Sequence, residues 1–452
     1  MNEKLSENGF LRAKKWLVLS VASLGLGGAF AFLVGMARAP FAEKRLPHDY
    51  FRHALVGHVN LAIVFWLLLS TVTLWAANFK GENLKAGFPL SLLGTVLVAS
   101  SALFGSGEAV LNNYVPVLVN PLFFAGLAVF FAGFSISAFG LVKEAYDGLS
   151  SDDMVNNALS TGVFVSVVLF AAVLVSSAFF VGKADGGGRQ TYYERLFWTP
   201  GHIQQFLNGS MLVAAWYTLA QVPLKGGIRF WGFLKSANKS LIISAALLLI
   251  MLFFFDPMDR MLKIGAEIIY GVGLGIPLFM HIANIARQTL RSGFDRKSPQ
   301  EAALAFSMVI YLFGIFIAYA GFQNDTRVPA HYHGAVTALT LALMGCYHKM
   351  LKEGGYAIRF ERLARVQPYI YGVGMLLFIA GLFVSGFMGA PRKTPGVEFT
   401  HDPVVLASLG LMGFGTLLAV IGGASFVFYV VVTLINGRPM KRAGNAWLVG
   451  IW

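Results

Sequence analysis

Long apolar stretches recur along the whole chain and are separated by short polar segments. A helix needs about 20 mainly apolar residues to cross a membrane, and scanning at that length gives twelve candidate spans. They cover residues 15–37, 53–78, 87–108, 120–142, 160–182, 200–222, 238–255, 264–286, 302–322, 330–350, 368–390 and 404–436. No connecting segment is long enough for a separate soluble domain. The pattern predicts an all-α integral membrane protein, with about twelve transmembrane helices forming one domain over residues 1–452.

The composition supports this fold class. Of the 452 residues, 56% are hydrophobic and 13% are charged, whereas a soluble protein carries roughly a quarter charged residues. No small-residue cleavage site follows the first apolar stretch, which is therefore predicted to be a retained helix rather than a signal peptide. We expect a multi-pass protein of the cell inner (cytoplasmic) membrane, surrounded by lipid.

The formal net charge of +13 raises the alternative of nucleic-acid binding. The basic residues, however, concentrate in alternate connecting segments, which is the bias that sets membrane topology. The main clusters are Lys225, Arg229, Lys235 and Lys239; Arg287, Arg291, Arg296 and Lys297; and Lys349, Lys352, Arg359, Arg362 and Arg365. This distribution predicts that both termini lie in the cytoplasm, and it makes a nucleic-acid partner unnecessary.

Cys346 is the single cysteine. No disulfide, CxxCH haem attachment or thiolate-based copper or zinc site can form within the chain. If the protein carries out redox chemistry, its electrons must come from a partner, either a redox subunit or a soluble cytochrome or cupredoxin.

The histidines gather at one predicted depth. Of nine histidines, seven fall in or just beyond the outer part of the membrane: His48, His53, His58, His202, His331, His333 and His401. Ionisable groups inside a bilayer are costly and usually mark function. A single one is more often a packing residue, but several spans placing histidine at one level favour bound metal, since imidazole is a preferred ligand of haem iron and copper.

The pair His331 and His333 sharpens this prediction. Residues two apart on a helix diverge by roughly 200°, so the two imidazoles cannot readily ligate one iron but can serve two haems on opposite sides of the helix. The alternative is that both simply cap polar groups at the start of a helix.

Three segments carry a family resemblance: HVNLAIVFWLL at 58–68, DTRVPAHYH at 325–333 and GAPRK at 389–393. In this order they resemble the catalytic subunit I of the haem-copper oxidase and nitric oxide reductase superfamily, over nearly the whole chain.

The resemblance implies two haems. His58 and His333 would hold a low-spin haem, and His331 would be the proximal ligand of a high-spin, reactive haem. Arg392 and Lys393 would anchor haem propionates, with Lys393 standing where the family has a second arginine and so losing bidentate geometry. His53 is the rival of His58, and the continuous match after His58 decides between them.

The family also has a second metal, held by one histidine of the sixth span and a histidine pair of the seventh. Here His202 matches the first, but the pair is absent and the seventh span ends in a turn with Asp256 and Asp259. One interpretation is a metal site of His202 and Asp256, with Asp259 as ligand or proton carrier, favouring non-haem iron over copper. The alternatives are a polar helix-ending turn in which Asp259 pairs with Arg260, or loss of the metal.

Two further groups of the family are missing. Oxygen reductases place tyrosine four residues after the sixth-span histidine or in the seventh span, but here the position is Phe206 and residues 238–259 contain no tyrosine. Familiar nitric oxide reductases place glutamate at the same position. Glu108 and Glu267 are candidate proton carriers, each with an interfacial role as the alternative. No polar chain leads in from the cytoplasm, so proton pumping is not expected.

These observations favour a divergent nitric oxide reductase, which would reduce NO to nitrous oxide at the high-spin haem and adjacent metal. An oxygen-reducing terminal oxidase is the first alternative. A haem-bearing electron-transfer or sensory subunit without a second metal is the other.

Overall fold

The computed structural model describes residues 7–36, 48–81, 84–104, 107–183, 187–220, 231–321, 325–393 and 400–436. Within them the chain is almost entirely helical. The helices are α1 Glu7–Met36, α2 His48–Val59, α3 Trp66–Asn78, α4 Leu84–Leu103, α5 Pro121–Phe139, α6 Val142–Gly148, α7 Met154–Phe180, α8 Gly188–Leu219, α9 Trp231–Met251, α10 Arg260–Tyr270, α11 Ile276–Ser292, α12 Pro299–Tyr319, α13 Arg327–Glu353, α14 Glu361–Phe387 and α15 Pro403–Asn436.

Two π-helical segments join pairs of these helices into single long rods. Asn60–Phe65 links α2 to α3, and Gly271–Gly275 links α10 to α11. With these pairs counted as single spans, each of the predicted spans corresponds to one long helical rod, and α6 is a short connection. The prediction of an all-α integral membrane bundle is confirmed.

Ten of these rods are long and apolar enough to cross a membrane by length and composition. The two that fall short in hydropathy are α8 and α13, which carry His202, His331 and His333. Both are buried along most of their length, from Ile203 to Leu219 and from Gly334 to Leu351. A helix enclosed by other helices can carry polar groups that a lipid-facing helix cannot, so low hydropathy here marks a central position.

Local sequence sets several helix starts. The side chain of Asn120 accepts a hydrogen bond from the backbone N–H of Leu122 at the start of α5, where Pro121 takes the first helical position. Asp153 caps α7 in the same way. Such caps satisfy backbone donors that lack partners within the helix.

A short hairpin replaces the predicted outer end of the third span. β1 Glu108–Val110 pairs antiparallel with β2 Val117–Val119, with Ala109 opposite Leu118. Glu108 therefore lies on a strand and not on a helix, which corrects the predicted span boundary. Gly107 has φ of 95°, a conformation that suits glycine at the point where the chain enters the hairpin. The tip of this hairpin reaches towards α8.

Close helix contacts depend on glycine. An ideal Cβ at Gly314 of α12 would lie 2.8 Å from Cα of Gly334 in α13, so the two backbones touch directly. Small residues allow this approach in membrane bundles. The contact brings α12 against the histidine-bearing start of α13.

Candidate functional site

His58 lies near the end of α2, two residues before the first π-helical segment. Its Nδ1 is 3.0 Å from the carbonyl oxygen of Gly27 in α1. A carbonyl can only accept a hydrogen bond, so Nδ1 carries the proton and Nε2 of the neutral ring holds the lone pair. The contact with α1 thereby selects Nε2 as the nitrogen able to bind a metal.

His331 and His333 contact different neighbours. Nδ1 of His331 donates to the carbonyl oxygen of Gly314 in α12, at 2.8 Å. Nδ1 of His333 donates to Pro329 O in its own helix, at 2.7 Å, and its ring meets that of Phe378 in α14 with centroids 4.8 Å apart. The two imidazoles therefore point towards different helices.

A hydrogen bond lower in the bundle fixes the level of His58 relative to His333. Trp66 Nε1 donates to Thr340 Oγ1, at 3.2 Å. Trp66 follows His58 by eight residues and Thr340 follows His333 by seven, and both rods run in the same direction. At about 1.5 Å per residue, the two histidines stand at nearly the same depth, as two axial ligands of one haem require.

The donor set fits haem. His58, His202, His331 and His333 are all half-buried, and each uses Nδ1 for a main-chain carbonyl. Histidines that ligate metals usually donate their other N–H to such a group, which orients the ring and makes it a better ligand. The arrangement suits His58 with His333 for one haem and His331 for a second.

Two cations of the outer loop converge on one polar patch. Arg392 Nη1 donates to Asn113 Oδ1 at 3.0 Å, and Lys393 Nζ donates to Asn113 Oδ1 at 3.3 Å and to Leu111 O. Burial, with a smaller effect of the charge of Arg392, lowers the pKa of Lys393 to about 8, and the charge of Glu194 opposes this shift. A buried cation of this kind favours a neighbouring carboxylate, which is what a propionate would supply.

The same loop is fastened to the start of α13. Asp325 forms an isolated β-bridge with Pro391, and the backbone N–H of Thr326 donates to Ala390 O at 3.1 Å. Asp325 also forms a buried ion pair with Arg327, at 2.7 Å. The two predicted propionate anchors are thus held beside the helix that carries His331 and His333.

His202 lies in the fourth turn of α8 with both ring nitrogens engaged. Nδ1 donates to Trp198 O at 2.7 Å, and Nε2 is 2.7 Å from the hydroxyl of Tyr114. The imidazole stacks on Trp198 with centroids 3.7 Å apart. Tyr270 donates its hydroxyl to the main-chain carbonyl of His202, at 2.8 Å.

Asp256 and Asp259 form the polar turn that was the alternative to a metal site. Asp256 pairs with Arg195 at 3.0 Å and accepts from Met258 N at 2.8 Å, while Asp259 accepts from the backbone of Asp256 at 3.0 Å. Asp259, for which Arg260 was the expected partner, accepts from the backbone instead, and the ion pair of this turn joins Asp256 to Arg195 of α8. Among the described residues, no group of three or more His, Cys, Asp or Glu side chains is arranged to hold a metal ion.

The candidate proton carriers lie at the surface. Glu108 is exposed on β1 and pairs with Arg189, and Glu267 is exposed on α10. His53 Nε2 contacts Gly107 O at 2.8 Å, beside the hairpin, and His401 is exposed. The exposed positions of Glu108 and Glu267 agree with the interfacial role given above as their alternative. The side chain of His48 lies outside the described residues.

Two tyrosines at this site were not predicted from the sequence. Tyr114 comes from the hairpin loop, and Tyr270 from the end of α10, where its ring stacks on that of Phe206 with centroids 5.2 Å apart and planes 7° apart. The one local signal was the glycine-rich GVGLG after Tyr270, which forms a π-helical segment. Such segments often occur at functional sites.

The enclosed helices α8 and α13 both carry histidines, as expected of a membrane bundle that holds haem. Comparison with known proteins gives its family, since residues 12–424 match the family model for cytochrome c and quinol oxidase polypeptide I. The chain belongs to this family, the subunit I family of the haem-copper oxidases. Its members are oxidoreductases that typically bind haems and a metal.

Relatives and solved structures are similar to this chain along most of their length. A protein of Aquifex aeolicus (strain VF5), described as uncharacterized, is 32% identical and covers 78% of this chain and 88% of its own. Another of Rickettsia prowazekii (strain Madrid E), also described as uncharacterized, is 26% identical over 95% and 97%. A cryo-EM structure of a haem-copper terminal oxidase dimer matches with a TM-score of 0.65 and 16% identity, over 96% of this chain and 84% of that one. The last likeness concerns the fold alone.

Proposed function

We propose that this chain is the catalytic subunit of a membrane-bound reductase of a small gas, and that the gas is nitric oxide. Two NO molecules, two electrons and two protons would give one nitrous oxide and one water. The observation that carries the proposal is the set of half-buried imidazoles whose Nδ1 atoms are fixed by main-chain carbonyls, an arrangement suited to binding iron through Nε2.

Each predicted ligand has a defined task. His58 and His333 would hold the haem that relays electrons, and His331 the haem that binds the gas. Arg392 and Lys393 would bind the propionates. When bound, the haems supply the one-electron chemistry that the side chains lack. The electrons would come from a partner subunit, cytochrome or cupredoxin, on the outer side of the cell inner membrane.

The surroundings of His202 would keep water away from the reacting gas. The ring of Trp198 covers the imidazole, and the stacked rings of Phe206 and Tyr270 lie beside it. The hydroxyls of Tyr114 and Tyr270 are the polar groups that contact His202. They would hold protons close to the site without opening it to bulk water.

Oxygen reduction is a second candidate, favoured by those same two hydroxyls. The missing tyrosine at position 206 argued against it, since cleavage of the O–O bond draws on a nearby phenol. Tyr114 and Tyr270 are phenols that other elements of the chain bring to His202. The lack of tyrosine at position 206 therefore does not exclude oxygen reduction. A haem relay or sensor is a third candidate, favoured because Asp256 is engaged by Arg195 and His202 by Tyr114.

The test is gas consumption by the purified complex with an artificial electron donor. We expect NO uptake with one nitrous oxide formed for two NO, and loss of at least about tenfold in rate in His331→Ala, since removing the proximal ligand removes the reactive haem. His401→Ala, in the exposed outer loop, is the matched control. Oxygen uptake without NO turnover would support the second candidate. Reducible haems without uptake of either gas would support the third.

A further inference from the structure

We infer that the His202 site takes no second metal, and that the hydrogen-bonded pair of Tyr114 and His202 occupies this side of the gas-binding position instead. The inference rests on the proposed function in one respect, namely that His331 holds a haem that binds gas. The absence of a metal at His202 does not depend on that function, because it follows from the hydrogen bonds and ion pairs of this chain's own donor atoms.

Both ring nitrogens of His202 are engaged by neighbouring groups. Nδ1 of His202 donates to Trp198 O, so the neutral ring accepts from the Tyr114 hydroxyl at Nε2, over 2.7 Å. Two ligand atoms of a tetrahedral metal, each about 2.0 Å from it, lie roughly 3.3 Å apart. The separation of 2.7 Å is that of a direct hydrogen bond. Nε2 is therefore used by a phenol, with no space for an ion between them.

Among the described residues, too few other donors lie beside His202 to complete a metal site. A catalytic metal site usually has three or more protein ligands. The seventh-span histidine pair is absent, and the carboxylate that replaced it in the sequence, Asp256, is paired with Arg195. No cluster of three possible ligands occurs anywhere in the part of the chain that the structure describes. The rings of Tyr114, Trp198 and Tyr270 lie around His202.

The backbone around Tyr114 and His202 is shaped to hold the two side chains together. A Cβ at Gly201 would overlap the ring of Tyr114, so the glycine before His202 makes the space in which the phenol lies. Asn112 holds the loop from the other side, because its side-chain oxygen accepts from the backbone N–H groups of Tyr114 and Val115 at 3.2 and 3.0 Å. The position of Tyr114 is thus fixed by two residues that are separate in the sequence.

The pair of Tyr114 and His202 and the predicted haem ligand His331 have neighbouring elements in common. Helix α12 touches both sites: its Gly314 carbonyl binds His331, and a Cβ at Gly271 would lie 3.0 Å from the hydroxyl of Tyr319. Gly271 follows Tyr270, which bonds to His202. Because α8 also packs against α12 and α13, His202 and His331 lie on helices that enclose the same part of the bundle.

Metal counting tests the first half of the inference. The complex would be produced in medium rich in copper and iron, purified without a metal-affinity column, and analysed for iron, copper and zinc against haem. We expect iron equal to haem, with copper and zinc well below one per chain, and the same values in His202→Ala. One extra iron or copper per chain that disappears in His202→Ala would overturn the inference.

The carbon monoxide complex of the reduced protein tests the second half, since the C–O stretching frequency responds to polar groups near the bound gas. Tyr114→Phe removes the hydroxyl, and Gly201→Ala displaces the ring. Both should shift the band, whereas Tyr356→Phe, at the start of the segment after α13, should leave it unchanged. Unshifted bands in both test variants would overturn the place given to Tyr114. If no carbon monoxide complex formed, the proposed gas-binding function would fail, and the metal count would still decide whether His202 holds a metal.

Discussion

At the scale of single residues, hydrogen bonding distinguishes histidines that the sequence presents alike. His58, His331 and His333 are each oriented through Nδ1 by a main-chain carbonyl. His53, only five residues before His58, instead points Nε2 at Gly107 O. Because that nitrogen is used at the protein surface, His53 is poorly placed to be an axial ligand.

Substitution of these residues tests the assignment. We expect His58→Ala and His333→Ala each to lose the low-spin haem, because bis-histidine ligation needs both rings, and His331→Ala to lose the other. Haem content per chain should fall from two to about one in each case. It is measured by the pyridine haemochrome assay together with the spectrum of the reduced protein. His53→Ala is the control and should keep both haems; loss of a haem there, with retention in His58→Ala, would exchange the two assignments.

Tyr114 is a residue of the site that the sequence does not identify. The chain contains fifteen tyrosines, and neither spacing nor composition separates Tyr114 from the rest. Its role depends on a contact with His202, 88 positions away. A pair of this kind has no periodic signal, because it is formed by a loop fold and by the missing side chain of Gly201.

At the scale of elements, each of the two π-helical segments begins within two residues of a site residue, one after His58 and the other after Tyr270. A π turn inserts an extra residue into the helix and rotates the side chains on either side of it relative to each other. In the first segment, Ala62 also approaches Gly27, whose carbonyl holds His58: an ideal Cβ on Gly27 would lie 2.5 Å from Ala62 N. The same local contact thus packs α1 and orients His58, a predicted haem ligand.

Two adjacent glycines offer a sharp test of this contact. Gly27→Ala must push α1 away from Ala62, which we expect to cost about 1–3 kcal/mol and to weaken low-spin haem binding through His58. Gly28→Ala meets nothing within 4 Å and should be neutral or slightly stabilising, since alanine favours helix. The melting temperature and haem content of both variants are to be measured. Equal effects of the two changes would show that the α1 contact does not support His58.

At the scale of the whole molecule, topology brings the predicted ligands together. Rods that enter from the outer side supply His58, His202, His331 and His333, and the outer loop with Arg392 closes over the start of α13. The predicted orientation places this end of the bundle outside the cell membrane. Electrons from a soluble donor would then reach the site without crossing the bilayer.

Single-cysteine labelling tests this orientation. Cys346 is buried, so the parent protein should not react with a membrane-impermeant maleimide. His401→Cys, in an exposed outer position, should be labelled in intact cells whose outer barrier has been removed. Asp152→Cys, in an exposed position of the loop before α7, should react only after the membrane is made permeable. The opposite pattern would invert the predicted topology.

The sequence by itself determined the membrane bundle and its family, and it predicted the haem ligands. The reason is that hydropathy over 20 residues and short ligand segments are local signals, set by burial in lipid and by metal chemistry. It also indicated a candidate metal site at His202, Asp256 and Asp259. Only the tertiary structure decided the partners of these residues: Arg195 forms an ion pair with Asp256, and the hydroxyl of Tyr114 is hydrogen-bonded to Nε2 of His202. Those partners come from distant elements, and which of them meet depends on how closely the helices and the hairpin pack.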